Sequence, residues 1–297
     1  MILMAKKTNK YAGPELDSYD PTGISEYIGL GRPIDFSDNV TRLAILCAIL
    51  GAAAAMALKT LQGAASDAAA MSALAAALGF IFSFMVALEL DPDRKVGGVI
   101  GGLLTVGAYL FFGEGNILVM LWMLFILRML TRTSGDRHRI GDNVLMIVCG
   151  AWLGAQGYWL IPVITGIAYI LESQITKGYY RSLYLAALAF ASVYFADRNA
   201  IPNNLSMAYI YLIGAAFIIF LPELRVATYV KALGDKNGKR LLPKRLQTAQ
   251  GFYMMMLFSV AFMHGNAGVL SVMPAIMAGL GCGIYLIIAL VRHKVVF

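Results

Sequence analysis

From residue 41 onward, long apolar runs alternate with short polar breaks, and this alternation constrains the fold more than any other feature of the chain. Of the 297 residues, 59% are hydrophobic and 14% are charged, against about 45–50% and about 25% in soluble domains. A single soluble core could not bury that much apolar surface. The sequence therefore predicts an all-α, polytopic integral membrane helix bundle of about ten transmembrane helices. The ten runs lie near 41–62, 68–89, 95–112, 116–131, 143–156, 159–173, 180–196, 204–222, 249–264 and 267–291.

The basic residues fall almost entirely on one side of this predicted topology. If the N-terminus is cytoplasmic and all ten runs cross, only Lys59 and Arg198 of the 24 basic residues lie outside. Short cytoplasmic loops of membrane proteins carry this excess of positive charge. Because many of the bases lie between residues 225 and 245, an odd number of earlier crossings would reverse the pattern. We therefore expect an even number of crossings before residue 225, both termini in the cytoplasm, and a multi-pass protein of the cell (inner) membrane.

Two segments outside the apolar runs stand out. Residues 1–40 carry six acidic and four basic residues with three prolines, which predicts an irregular cytoplasmic arm with a short surface helix near 23–30. No apolar stretch of the signal-peptide type follows its lysines. Residues 41–297 form the predicted bundle. The second segment is the basic loop 224–248 within it, which is expected to contact anionic lipid headgroups. The net charge of +7 thus indicates a membrane surface and no nucleic acid, and a membrane protein partner through 1–40 or 224–248 is the alternative.

The segment 143–173 is short for two crossings. A helix of 14 residues spans about 21 Å, whereas the hydrocarbon core of a bilayer is about 30 Å thick. Three interpretations remain open: two short transmembrane helices, one long tilted helix, or a re-entrant hairpin that leaves eight full crossings. Gly-interrupted segments of this kind often line a transport site, and hydrophobic mismatch is the simpler explanation.

Asp, Glu, Lys and Arg are absent from the middle of every predicted span, and the charged residues collect at the cytoplasmic helix ends. One interpretation is a surface active site. The aspartates could share a hard divalent cation, the arginines could clamp a phosphate, and the histidine could move a proton. The catalytic candidates are Asp91, Asp93, Asp136, His138 and Asp142, and the substrate-binding candidates are Arg128, Arg132, Glu89 and Glu172.

The other interpretation assigns the same residues to helix ends. Asp91 before Pro92 is typical of an N-cap with proline at the first helical position, and Asp142 can cap the fifth helix. Arg128 and Arg132 close the fourth helix, where positive charge is favourable. The cluster between Arg128 and Asp142 is denser than one turn needs, which keeps the first interpretation open.

Ten spans in about 300 residues with both ends inside resemble the architecture of drug/metabolite-type transporters, and the resemblance is one of span count. It implies two inverted five-helix repeats. We expect a permease for a small organic solute, without enzymatic activity, metal or other cofactor. The alternatives are a non-catalytic subunit of a larger membrane complex, and a membrane enzyme acting on a phosphorylated or lipid-linked substrate at the cytoplasmic surface.

Overall fold

The computed structural model describes residues 23–33, 35–199 and 201–292, and throughout these ranges the chain is helical without a β-strand. The predicted all-helical fold is confirmed. The helices are α1 (Asn39–Leu61), α2 (Ser66–Leu90), α3 (Val96–Phe112), α4 (Ile117–Thr131), α5 (Ile140–Ala155), α6 (Leu160–Gln174), α7 (Ser182–Ala191), α8 (Met207–Val226) and α9 (Pro243–Val291), with 3-10 turns at Gly23–Glu26, Ser192–Phe195 and Ala227–Tyr229.

The part of the predicted arm that the structure describes contains the single 3-10 turn Gly23–Glu26 where a short helix was expected. Residues 1–22 and 293–297 lie outside the described residues, and with them the expected cytoplasmic position of the two termini.

Several helices are long and apolar enough to span a membrane, which makes this a membrane protein by the length and composition of its helices. Among the described residues they are Asn39–Leu61, Ser66–Leu90, Met207–Tyr229 and Pro243–Val291. The apolar helices α3 to α7 are shorter, at 10 to 17 residues.

Helix α9 is a hairpin of two antiparallel helices that reverses at Gly265. The backbone of Gly265 is non-helical, with φ 54° and ψ −142°. The Tyr253 hydroxyl donates to the Ala275 carbonyl at 2.7 Å. In a straight helix these residues would be about 33 Å apart, so the chain must fold back. Glycine suits this reversal because a positive φ disfavours any residue with a Cβ. The apolar runs 249–264 and 267–291 are thus separate helical passes.

The second pass of α9 is the centre of the bundle, and glycines let α3 approach it closely. A Cβ at Gly101 would lie 2.8 Å from the Met277 carbonyl oxygen, and one at Gly97 would lie 2.9 Å from Cys282 Cα. A Cβ at Gly281 would overlap the α3 backbone. These small residues therefore allow a close helix–helix contact within the chain.

Helices α5 and α6 form a hairpin that lies alongside the full length of α4. This arrangement rules out one long tilted helix through 143–173. At its tip, the Tyr158 hydroxyl lies 2.6 Å from Ser271 Oγ, which also accepts the N–H of Asn116 at 3.0 Å. Asn116 caps the start of α4. At the other end, Glu172 of α6 pairs with Arg132 at the end of α4. Both helices therefore connect the same two ends of the bundle.

Candidate functional site

The candidate site is a network of buried ion pairs at one end of the bundle, which we call the basic end. Glu89, in the last turn of α2, is fully buried, and its Oε1 lies 3.1 Å from both Arg32 and Arg128. Its Oε2 accepts hydrogen bonds from the hydroxyls of Thr131, at 3.1 Å, and Thr133. One carboxylate therefore joins α2, the end of α4 and the N-terminal arm.

Charge balance explains how Arg32 stays in this half-buried position. Burial alone would lower the pKa of Arg32, but the carboxylates of Glu89 and Asp235 outweigh that effect and raise it above its usual value. Arg32 therefore remains a cation and attaches the arm to the bundle.

Glu172, at the end of α6, forms the second node. Arg132 donates to its Oε1 at 2.6 Å, and Arg245 donates to its Oε2. Arg245 is 1% exposed and also donates to the carbonyls of Met129, Leu130 and Thr176 at 2.9–3.0 Å. A single guanidinium thereby satisfies the free carbonyl groups at the ends of α4 and α6.

Arg245 is a residue that the sequence interpretation missed, because it was assigned to a loop ending at residue 248. The structure corrects this boundary, since α9 begins at Pro243, which is favoured in the first turn of a helix. The signal that could have found it is helical periodicity. Extending the buried face of Ala249, Phe252 and Met256 backward by one turn reaches Arg245.

The third node lies between the α2–α3 turn and the end of α8. Arg94 donates to Asp91 at 2.7 Å and to Glu223 at 2.6 Å. Burial raises the pKa of Asp91 to about 6, against the lowering effect of Arg94. The Asp93 carboxylate accepts the backbone N–H groups of Lys231 and Ala232 at 2.7–3.1 Å. The two aspartates that flank Pro92 therefore have separate partners.

Asp142 and Asp136 hold backbone and side chains of the α4–α5 connection in place. The Asp142 carboxylate accepts the N–H groups of Gly29 at 2.7 Å, Leu30 at 3.2 Å and Arg139 at 2.8 Å. Asp142 is thus not the N-cap that the sequence predicts: Arg139 holds that position, and Asp142, at the third residue of α5, accepts its backbone N–H and also binds the arm. Asp136 pairs with Arg139 at 2.8 Å.

His138 is buried between α5 and α7. Its Nδ1 lies 2.7 Å from Asn143 Oδ1, and its Nε2 lies 3.2 Å from Ser182 Oγ. With the amide oriented this way, Nδ1–H donates to Asn143 and Nε2 accepts from the serine. Burial lowers the pKa of His138 to about 4, so the ring is neutral near pH 7. That does not match the proton-transfer role considered from the sequence.

Three segments cover the basic end, and we call them together the cap. They are the described part of the N-terminal arm, the connection between α4 and α5, and the connection between α8 and α9. The backbone N–H of Asp235 donates to the Thr133 carbonyl at 3.1 Å, and that of Lys236 donates to the Ser134 carbonyl at 2.9 Å. Lys236 Nζ donates to the Gly29 carbonyl at 2.8 Å. The tip of the predicted basic loop therefore docks on the protein.

The structure gathers the candidate residues at one end but does not converge them on one centre. Arg128 and Arg132 are bound to different carboxylates, Glu89 and Glu172, so they do not form a joint clamp for phosphate. Within the described ranges, no group of three or more His, Cys, Asp or Glu side chains is placed to hold a metal ion. The ion pairs connect the ends of α2, α4, α6 and α8 and the start of α9 to neighbouring segments.

No family model, no curated protein and no solved structure matches this chain.

Proposed function

We propose that this chain is a permease for a small organic solute in the cytoplasmic membrane, captured closed at its basic end. In this proposal the ten helical passes, counting the two passes of α9, cross the membrane. Both termini are cytoplasmic, and the hairpin α5–α6 crosses twice where the bilayer is thinned. The placement of nearly all basic residues on one side supports this orientation.

The observation that carries the proposal is the buried ion-pair network. A buried ion pair contributes little net stability compared with apolar packing, because desolvation offsets the attraction between the charges. A permanently closed bundle gains little from several such pairs at the ends of its helices. For an end that opens, ion pairs keep the free-energy cost of opening small, because hydration of the separated charges offsets much of the lost interaction.

The interruption of α9 is consistent with this interpretation. Pro274, within the second pass of α9, weakens the helical hydrogen-bond ladder in a largely buried helix of the described bundle. Hinge positions of moving helices are of this kind.

Transport is tested in proteoliposomes by counterflow of a panel of radiolabelled metabolites. In a variant lacking the native cysteines, Arg32→Cys and Asp235→Cys would allow a cleavable thiol cross-linker to join the arm to the connection between α8 and α9. We expect cross-linking to stop counterflow and cleavage to restore it, with the two single-cysteine variants as controls. Failure of every panel member to exchange, or full activity of the cross-linked protein, would contradict the proposal.

Orientation is tested separately by labelling with a membrane-impermeant maleimide. Asn199→Cys, between α7 and α8, should react in intact cells, and Asp235→Cys should react only after permeabilisation. The reverse pattern would contradict the proposed topology without reference to any substrate.

A second candidate function, a subunit of a larger membrane complex, is favoured by apolar side chains exposed outside the long helices. Tyr27 and Phe36 on the arm are both 62% exposed, and Leu233 near the cap is 58% exposed. Co-purification of a stoichiometric partner that is lost on removing the arm would favour this alternative.

A further inference from the structure

A cleft at the basic end has features that the ion-pair network does not explain. It lies where the α2–α3 turn meets the end of α8 and the start of α9, and its volume is about 10 Å³. This is room for about one particle the size of a water molecule. The polar side chains that line it are Asp91, Asp93, Arg94, Glu223 and Gln250.

Two buried oxygen atoms in this cleft lack a donor. Glu223 and Gln250 are each 1% exposed, and no described residue donates to Glu223 Oε1 or Gln250 Oε1. The orientation of the Gln250 amide is fixed, because its Nε2 donates to the Leu90 carbonyl at 2.7 Å. A flipped amide would instead place its oxygen against that carbonyl oxygen, and both atoms are acceptors. Glu223 uses its other oxygen to accept from Arg94. Buried acceptors of this kind normally have a partner.

The charges around the cleft do not balance. Three carboxylates, Asp91, Asp93 and Glu223, face one guanidinium, Arg94. Asp93 is stabilised by two backbone N–H groups. With Asp91 and Glu223 both ionised, one negative charge remains uncompensated in a buried position, which is costly. A water molecule could donate to both free oxygens but would leave that charge, whereas a monovalent cation would satisfy both requirements.

We propose that this cleft binds one monovalent metal cation of the size of Na⁺, through Glu223 Oε1, Gln250 Oε1 and the Asp91 carboxylate. Hard cations take carboxylate and amide oxygen ligands, and a single positive charge matches the uncompensated charge. The site does not depend on the permease proposal. If that proposal holds, the cation is its coupling ion, since the ligands join α8 and α9 to the α2–α3 turn.

The test is sodium-dependent stability of the full-length protein in detergent at pH 8 and constant ionic strength, in NaCl, KCl or choline chloride. Ligand binding to the folded state alone should raise Tm by about 3–5 °C in NaCl at about ten times Kd, relative to choline. Equilibrium dialysis with ²²Na⁺ should give one site per chain.

Glu223→Gln is the informative variant. Its carbonyl can still accept from Arg94, and its new NH₂ group can donate into the cleft in place of the cation. It should fold without sodium, bind no ²²Na⁺ and show no Tm difference between NaCl and choline. Gln250→Met removes the second ligand and should also abolish the sodium effect. Asp38→Asn is the matched control, because it removes a carboxylate that pairs with Lys95 outside the cleft and keeps a good N-cap.

The proposal is overturned if wild type shows neither a sodium-dependent Tm nor stoichiometric ²²Na⁺ binding. It is also overturned if acidification alone stabilises the protein, because the cleft would then take a proton, or if potassium stabilises and sodium does not. A sodium effect that survives in Gln250→Met would place the cation elsewhere.

Discussion

Glu172→Gln should strongly destabilise the protein, because it removes one charge from a fully buried group that serves two cations. Glu172 accepts from Arg132 and Arg245, which are both buried in the described fold. Removing one partner of a buried ion pair costs about 3–5 kcal/mol. Arg245 keeps three carbonyl acceptors, but Nε and Nη1 of Arg132 have no described partner, so we expect the upper half of that range.

The free energy of unfolding is measured by titrating the folded protein in mild detergent with a denaturing detergent and following helicity. Lys95→Met is the matched control, because it breaks a pair with Asp38 in which the Lys95 side chain is 42% exposed. It should cost less than about 1 kcal/mol. The double variant Glu172→Gln with Arg245→Met should lose less than the two single losses combined, because it leaves fewer unpaired charges. A Glu172→Gln protein within about 1 kcal/mol of wild type would refute the reasoning.

Three further predictions concern packing, hydrogen bonding and pH. Gly281→Leu should prevent folding, detected as loss of a monodisperse peak in size exclusion, whereas Gly214→Leu should be tolerated because a Cβ there meets nothing within 4 Å. Thr165→Val should cost about 1–3 kcal/mol in unfolding measurements, since the buried Trp122 N–H, which donates to Thr165 at 2.8 Å, would lose its acceptor. His138 has a folded pKa of about 4 against 6.5 when unfolded, so its contribution is present above pH 6.5 and is lost as pH falls toward 4. Wild type should therefore lose about 3 kcal/mol more than His138→Gln over that interval; parallel pH profiles would contradict the assignment.

Apolar patterning was sufficient to locate the helical passes, because each apolar run must become a helix whose backbone hydrogen bonds are satisfied internally. It placed the break near residue 265 correctly, where the passes of α9 reverse. Helix ends were less predictable. The predicted span ends at Pro222, yet α8 continues to Val226, because a proline removes only its own N–H donor and the residues after it can keep their helical hydrogen bonds.

The site was predictable in location but not in connectivity. Charge asymmetry indicated that the bases of residues 225–245 share a face with the α4–α5 connection, and the contact between Asp235 and Thr133 agrees. Pairing could not be predicted, because it depends on the three-dimensional order of the helices. Arg128 and Arg132 appear equivalent on one helix face, and only the positions of α2 and α6 assign each a different carboxylate.

If the basic end opens as we propose, the same ion pairs can make the folded state sensitive to mutation and still permit that opening. A substitution removes one charge and leaves its partner buried, and that partner has no water to replace the lost interaction. An opening motion separates both charges into water, so the desolvation cost of each is recovered as the pair is lost. The free energy lost on mutating one partner can therefore be large while the free energy of the proposed opening stays small. Arg94 illustrates this, because it bridges Asp91 on the α2–α3 turn and Glu223 on α8, so that withdrawal of one element would leave it paired with the other.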